Sequence, residues 1–246
     1  MYQKVIPYTS ALPNRLCYEN LMKGYMGWRF MLSPASIRSF GKNREHMLYD
    51  HGFALDNGAY SYHKRELPFP TDIFNKCLDK YGEKADWIVL PDVIEDWERT
   101  QEFSSSWYER MKTINKCLIV AQNGAENNDW KQLDDWIAKG VGVFVGGDDD
   151  FKSIHTQTII NKCIQNDVIC HIGRVNSSKR ALWCDSMNAY SFDGSGMARF
   201  QRQAYTVSQT MKNIHNQINL FASSHTQYYR RMQLKYGMKP YDLATQ

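Results

Sequence analysis

Eight short apolar runs recur along the chain, and polar or amphipathic stretches of helical length lie between them. The runs are residues 3–8, 28–32, 53–55, 87–90, 118–121, 143–145, 168–172 and 189–192, and the helical stretches include 71–84, 95–116, 127–139, 152–166 and 176–188. Short apolar runs bounded by turn residues are typical of buried strands, and their alternation with helices indicates βαβ units. Eight such strands in about 200 residues predict an α/β fold, a closed (β/α)8 TIM barrel. An open, doubly wound sheet is the alternative.

The chain is expected to form one domain over residues 1–246. Its length suits one large domain or two small ones, but no linker rich in Gly, Ser or Pro divides it. After Phe200 the sequence becomes helical and polar, and then basic at Arg230, Arg231, Lys235 and Lys239. These features predict a helical C-terminal tail on the barrel.

Composition favours a cytoplasmic protein. The six cysteines show no CxxC or CxC spacing, which is typical of reduced thiols. No apolar stretch approaches the roughly 20 residues of a membrane span, and the N-terminal residues lack the apolar region of a signal peptide. The net charge of +4 is too small to indicate a nucleic-acid partner by itself.

Three of the predicted strands are followed at once by an aspartate: Asp56, Asp92 and Asp193. A single aspartate in this position is most often the N-cap of the next helix. Three in one chain favour convergence, because the carboxyl ends of parallel barrel strands meet at one mouth. Barrel enzymes build their active sites at that mouth.

Amides and glycines follow the other strands. They are Asn57 and Gly58, Gln122, Gly146 and Gly147, with His171 near the end of the seventh run. A carboxylate can accept from N1–H and the exocyclic amine of a guanine-like base, while a glutamine and a glycine N–H donate to its carbonyl. Glycine also allows the backbone to approach the ring closely. The set predicts a pocket for a guanine-like base.

In their order along the chain, these segments resemble the guanine transglycosylase superfamily of (β/α)8 enzymes, which exchange guanine for a 7-deazaguanine. The resemblance covers about residues 28–200 and lies in segments 30–36, 54–60, 90–92, 122–124, 146–147, 173–177 and 191–195. It is closest to the phage and bacterial branch that modifies DNA. It implies a pentosyltransferase that replaces guanine in DNA by a preQ0- or preQ1-type base through a covalent aspartyl–sugar intermediate.

Carried over by position, the resemblance implies that Asp193 is the nucleophile and Asp56 the general acid/base. Residues expected to bind the base are Asp92, Gln122 and Gly147, with Asn57, Gly58, Gly146 and His171 completing the pocket. Basic residues that flank the Asp193 segment are expected to contact nucleic-acid phosphates: Arg174, Lys179, Arg199 and Arg202.

The sequence departs from the tRNA branch of the family in its metal site. That branch has a Cys-rich zinc motif with a later histidine, whereas no cysteine follows Cys184 here, and Tyr190 stands where the family often has an acidic residue. We therefore expect no metal and no other cofactor. The expected partner is DNA, and a tRNA-guanine transglycosylase acting on tRNA is the alternative. Asp148, Asp149 and Asp150 are expected to begin a helix rather than bind a metal.

Two other interpretations remain open at this point. One is a different barrel enzyme that uses aspartates, such as a hydrolase or a glycosidase that only releases the base. The other is a catalytically silent barrel that binds a nucleobase or nucleic acid.

Overall fold

Eight parallel strands close into a barrel in chain order in the computed structural model, which describes residues 4–217. They are β1 Ile6–Thr9, β2 Arg29–Leu32, β3 Phe53–Leu55, β4 Ile88–Val89, β5 Cys117–Ala121, β6 Gly142–Val145, β7 Cys170–Ile172 and β8 Ser191–Gly194. The last strand pairs with the first, with Asp193 opposite Tyr8. The predicted (β/α)8 barrel is confirmed, and the open sheet is wrong because β8 returns to β1.

Helices surround this barrel. Within the described residues they are α1 Arg15–Gly24, α2 Ile37–Arg44, α3 His46–His51, α4 Ala59–His63, α5 Thr71–Tyr81, α6 Trp97–Met111, α7 Lys131–Ala138, α8 Asp149–Gln165, α9 Ser178–Ser186, α10 Gly196–Arg199 and α11 Gln201–Gln217. Short 3-10 turns form at Gly82–Lys84 and Asn127–Trp130. Over residues 4–217, no helix is both long and apolar enough to cross a bilayer.

The strands separate two apolar layers, because successive side chains on a strand point to opposite faces. Outward-facing residues such as Phe30, Leu55 and Phe192 pack between the strands and the helices. Inward-facing residues form a second cluster inside the barrel: Tyr8, Met31, Ala54, Trp87, Val89, Leu118 and Val120. The barrel interior is therefore a packed core, as is usual for this fold, and a ligand site must lie at one of its ends.

A polar network occupies the N-terminal end of the barrel. The Tyr8 hydroxyl donates to Asp86 Oδ2 at 2.8 Å, and Arg29 pairs with Asp86 Oδ1. Burial and the neighbouring Asp86 carboxylate raise the pKa of Tyr8 well above its usual range, so the phenol stays protonated and can donate. With this end filled, the C-terminal end is the place for a site.

Helix α11 is the eighth helix of the barrel, not an appendage. It packs against α1 and α9. Ser208 accepts a hydrogen bond from Trp28 Nε1 at 3.0 Å and donates to the Leu21 carbonyl at 2.5 Å. The predicted helix after Phe200 is thus part of the fold up to residue 217. The basic residues Arg230, Arg231, Lys235 and Lys239 lie outside the described residues.

Predicted and observed boundaries differ most in two places. Strand β8 extends to Gly194, so Asp193 lies within it and not after it. The helix predicted over 127–139 begins only at Lys131, because Asn128, Asp129 and Trp130 have left-handed backbone angles. By contrast, Asp148 caps α8 by accepting from the Phe151 N–H at 2.7 Å, in agreement with the predicted helix start.

Candidate active site

The last inward-facing position of most strands lies just above the apolar interior and is polar or glycine. Side chains two residues apart on a strand point to the same face. After Ala54 of β3, the next inward-facing side chain is therefore Asp56, and the last inward-facing side chain of β8 is Asp193. The same step on other strands gives Ser10, Ser33, Gln122, Gly146 and Gly173, and all of these positions line one cavity. The cavity has a volume of about 450 Å³, which is within the range of small-molecule sites.

The structure confirms the prediction that the residues at the strand ends come together at one mouth of the barrel. The residues expected at one mouth, Asp56, Asp92, Gln122, Gly147 and Asp193, all line this cavity, as do Asn57, Gly146, Arg174 and Arg199. Four other predicted site residues do not line it: Gly58, His171, Lys179 and Arg202. Placement does not test the chemical roles, which remain predictions.

Asp193 is held from two sides. Ser10 Oγ donates a short hydrogen bond to Asp193 Oδ2, and His171 Nε2 lies 3.1 Å from Oδ1. The carboxylate thus lies between the serine and the histidine. This order differs from a hydrolytic triad, in which the histidine must contact the serine to take its proton. The arrangement orients Asp193 toward the cavity.

His171 lies beneath Asp193, fully buried against Trp87 and Phe144. Burial lowers its pKa, although the Asp193 carboxylate opposes this, so the ring is neutral. Nδ1 is 2.8 Å from Ser191 Oγ. A neutral ring that donates from Nε2 to Asp193 accepts at Nδ1 from the Ser191 hydroxyl. This corrects the predicted substrate contact: a fully buried His171 orients the carboxylate instead.

We therefore expect His171 to be a positioning residue. His171→Phe should slow the guanine exchange expected from the sequence by roughly 10- to 100-fold, because a hydrogen bond to a charged group is lost. His171→Gln keeps a donor near the position of Nε2 and should retain most of the rate. Turnover and nucleic-acid affinity measured on both variants check this. Equal losses in the two variants, or a loss confined to affinity, would contradict it.

Asp56 faces the same cavity from the end of β3. Burial and the negative charges of Asp193 and Asp92 raise its pKa to about 7. The Gly58 N–H, 3.3 Å from Oδ2, opposes the rise. A carboxyl group with a pKa near neutrality can both give and take a proton at physiological pH.

Asp92 accepts hydrogen bonds through both carboxylate oxygens. Asn57 Nδ2 donates to Oδ1 at 2.8 Å, and Gln122 Nε2 donates to Oδ2 at 2.5 Å. Burial raises the pKa of Asp92 to about 6, and the two donors oppose the rise. Two donors on two oxygens fit the ionised form, which is an acceptor for the N–H edge of a ligand.

The orientation of Gln122 is set by backbone N–H groups. Its Oε1 accepts from Gly147 N at 2.8 Å and from Glu95 N at 3.1 Å. Gly147 has a φ of +72°, and a Cβ there would lie 2.7 Å from the Phe151 ring, so the position requires glycine. The predicted donation from the Gly147 N–H to a base is thus replaced by a bond to Gln122.

Lys152 is a buried cation in the wall of the cavity. It lies in the first turn of α8 and is 4% exposed. Its pKa is lowered to about 8 by burial and by Arg174, while Asp193 and Asp149 oppose the shift, so it is largely protonated at pH 7. Within residues 4–217, its Nζ makes no hydrogen bond or ion pair with another residue, and it is accessible from the cavity.

Exposed basic side chains surround the mouth. Arg174, Lys64, Arg65 and Arg199 line the outer part of the cavity. The Arg174 guanidinium lies over the exposed ring of Tyr60, 5.6 Å from its centroid. Lys179 and Arg202 lie in the first turns of α9 and α11, which follow β7 and β8, and so belong to the same end of the barrel. The mouth is therefore rimmed by positive charge above a floor of carboxylates.

Several residues that line the cavity were not predicted from the sequence: Ser10, Ser33, Tyr60, Lys64, Arg65, Glu95, Lys152 and Asn176. Extending the two-residue period one step beyond the inward-facing Tyr8 and Met31 would have identified Ser10 and Ser33. No comparable signal exists for Lys152, because a lysine in the first turn of a helix usually points into solvent.

Residues 4–217 contain no group of three or more His, Cys, Asp or Glu side chains that could hold a metal ion. The six cysteines are buried and unpaired with one another as disulfides. No protein-family model matches the chain, and no curated protein is significantly similar to it. The function is therefore inferred from the geometry of the site and from the resemblance of its residues.

Proposed function

We propose that the protein is a DNA-guanine transglycosylase, a pentosyltransferase that replaces guanine by a 7-deazaguanine base of the preQ0 or preQ1 type. The observation that carries the proposal is the pair of carboxyl groups in one cavity. Asp193 is oriented by Ser10 and His171, and Asp56 has a pKa near 7. The resemblance of the strand-end residues to the guanine transglycosylases supports the same conclusion.

The two carboxyl groups suit the two halves of a base exchange. In the first, Asp193 attacks C1′, an ester bond forms, and the C1′–N9 bond breaks with its electron pair passing to guanine. The leaving guanine takes a proton from Asp56. In the second, the incoming base gives a proton to Asp56, its nitrogen attacks C1′, and the ester bond breaks. Two displacements give retention, as in glycosidases with a carboxylate nucleophile.

Asp92 and Gln122 suit recognition of the base. The ionised Asp92 carboxylate can accept from N1–H and the exocyclic amine, while the second hydrogen of Gln122 Nε2 is available for a carbonyl oxygen. Asn57 holds Asp92, and Gly147 holds Gln122, through the hydrogen bonds described above. Both side chains are nearly fully buried and so are fixed before a ligand arrives.

DNA is the proposed polymer because the zinc motif of the tRNA branch is missing from the sequence. The basic rim suits the phosphates on either side of a base that has left the stack, at a cost of a few kcal/mol when the substrate is a duplex. The proposed site of the reaction is the cytoplasm, of the host if the protein is encoded by a phage.

The direct test uses DNA and tRNA that carry labelled guanine, each incubated with and without preQ0 or preQ1. The proposal expects label to leave DNA in exchange for the added base, and little release from tRNA. Release that is independent of an added base would indicate a glycosidase. Base binding without any release would indicate a silent binding protein.

Binding of DNA should weaken as salt increases. Each phosphate contact contributes about −0.9 to the slope of log affinity against log salt for duplex DNA, and about −0.7 for single strands. Arg174→Glu and Arg199→Glu should each weaken binding and reduce the steepness of this slope by about 1. Lys139→Glu, at the end of α7 on the opposite side of the barrel, is the matched control. Salt-insensitive binding, or equal effects of all three changes, would exclude the rim as the DNA surface.

A further inference from the structure

Lys152 has no role in the exchange chemistry derived above, although it is buried in the same cavity. Burying a cation without a partner is costly, and buried lysines are usually paired. The opposite charges nearest to it are Asp193 and Asp149, and neither lies within ion-pair distance of its Nζ. An ammonium group that reaches a cavity without an acceptor from the protein is available to a ligand that supplies one.

The position of Lys152 limits which acceptor this can be. It lies in the first turn of α8, after the β6–α8 turn in which the Gly147 N–H holds Gln122. Asp92 is the proposed acceptor for the N–H edge of the base, and Asp56 is the proposed proton carrier. The remaining edge of guanine carries O6 and position 7 side by side and needs donors. With the Gly147 N–H bonded to Gln122, two donors of the described residues remain on this side of the cavity: the second hydrogen of Gln122 Nε2, assigned above to the carbonyl oxygen, and the Lys152 ammonium group.

Phosphates suit Lys152 less well. The rim already offers Arg174, Lys64, Arg65 and Arg199, all exposed to solvent, where a phosphate can keep part of its hydration. Lys152 is 4% exposed. A side chain buried to this extent suits contact with the ring of the base and not with the phosphates of the nucleic acid.

We infer that Lys152 recognises the substituent at position 7 of the incoming base and selects a hydrogen-bond acceptor there, a carboxylate above all and then a nitrile, over a cationic aminomethyl group. This inference depends on the proposed function, since it assigns the substrate class of the same site. A protonated amine donates to an acceptor group and is repelled by a second cation. The same ammonium group can donate to N7 or O6 of the guanine that leaves.

The test measures binding of three free bases in the absence of nucleic acid: 7-carboxy-, 7-cyano- and 7-aminomethyl-7-deazaguanine. Titration calorimetry is carried out on the wild type, Lys152→Met, Lys152→Glu and the control Lys162→Met. Lys162 is in the same helix but pairs with Asp134 away from the cavity. Melting curves establish that each variant is folded, and Lys152→Gln replaces Lys152→Glu if the acidic variant does not fold.

The wild type should bind the carboxy base at least tenfold more tightly than the aminomethyl base. Lys152→Met should weaken binding of the carboxy base by roughly 10- to 100-fold and remove the preference. Lys152→Glu should reverse the preference, and Lys162→Met should leave it unchanged.

Two results would overturn the inference while leaving the proposed function intact. In the first, the protein binds and exchanges bases but prefers the aminomethyl base, or Lys152→Met leaves the order of affinities for the three bases unchanged. The other is a loss of DNA affinity in Lys152→Met with an unchanged order of bases, which would assign Lys152 to a phosphate. If the wild type binds none of the bases and releases no guanine, the inference and the proposed function both fail.

Discussion

Asp193→Asn is expected to reduce both guanine release and base insertion by at least ~1000-fold, because an amide cannot act as the nucleophile at C1′. The substitution is nearly isosteric. The Ser10 hydroxyl can rotate and accept from the new amide, and His171 can still donate to its oxygen, so both contacts of the carboxylate have a replacement. The variant should therefore fold and keep its affinity for DNA. The loss should appear in turnover.

The covalent intermediate gives the clearest measurement. Wild-type protein incubated with DNA but no incoming base should show a DNA–protein adduct on a denaturing gel, and Asp193→Asn should not. Asp150→Asn changes an exposed aspartate at the start of α8, at the same end of the barrel, and should behave like the wild type. An adduct that persists in Asp193→Asn would move the nucleophile elsewhere, with Asp56 the first residue to examine.

Most of the fold could be predicted from the sequence because two signals agreed. Apolar runs of strand length alternated with helical stretches, and the number of runs matched a barrel. The same alternation also places the strand ends at one mouth, so Asp56, Asp92 and Asp193 could be expected together from the sequence alone. The predicted ends of elements are wrong where tertiary contacts determine them. Strand β8, for example, is longer than predicted because it pairs with β1.

The details of the site could not be predicted because they depend on contacts between distant segments. His171 was expected to touch the ligand, but the barrel places it beneath Asp193, whose carboxylate, as an acceptor, fixes the tautomer of the neutral ring. The Gly147 N–H was expected to be free for a base, but the turn after β6 directs it to Gln122. Burial of Lys152 follows from the packing of α8, and no pattern in the sequence predicts it.

The raised pKa of Asp56 connects catalysis to stability. Its value of about 7 lies above the ordinary value of 3.8, so the folded protein binds this proton more tightly than the unfolded chain does. The stabilising contribution of the proton is complete below about pH 4 and is lost as the pH rises through 7. Ionised Asp56 is therefore a destabilising charge, and a group that titrates near neutrality suits the proton transfer proposed for it.

Asp56→Asn should accordingly slow exchange and stabilise the protein at the same time. Loss of the proton carrier should lower turnover by roughly 100- to 10,000-fold, while a base still binds because Asp92 and Gln122 are unchanged. Between pH 5 and pH 8, ionisation of Asp56 should lower the wild-type free energy of unfolding by about 2.5 kcal/mol relative to that of the variant. Ionisation of Asp92, whose pKa is about 6, should lower the free energy of unfolding by a smaller amount in both proteins. Denaturant unfolding at pH 5 and pH 8, together with single-turnover rates, measures both effects. A variant that is equally active, or whose stability follows the wild-type pH dependence, would show that Asp56 does not hold the proton assigned to it.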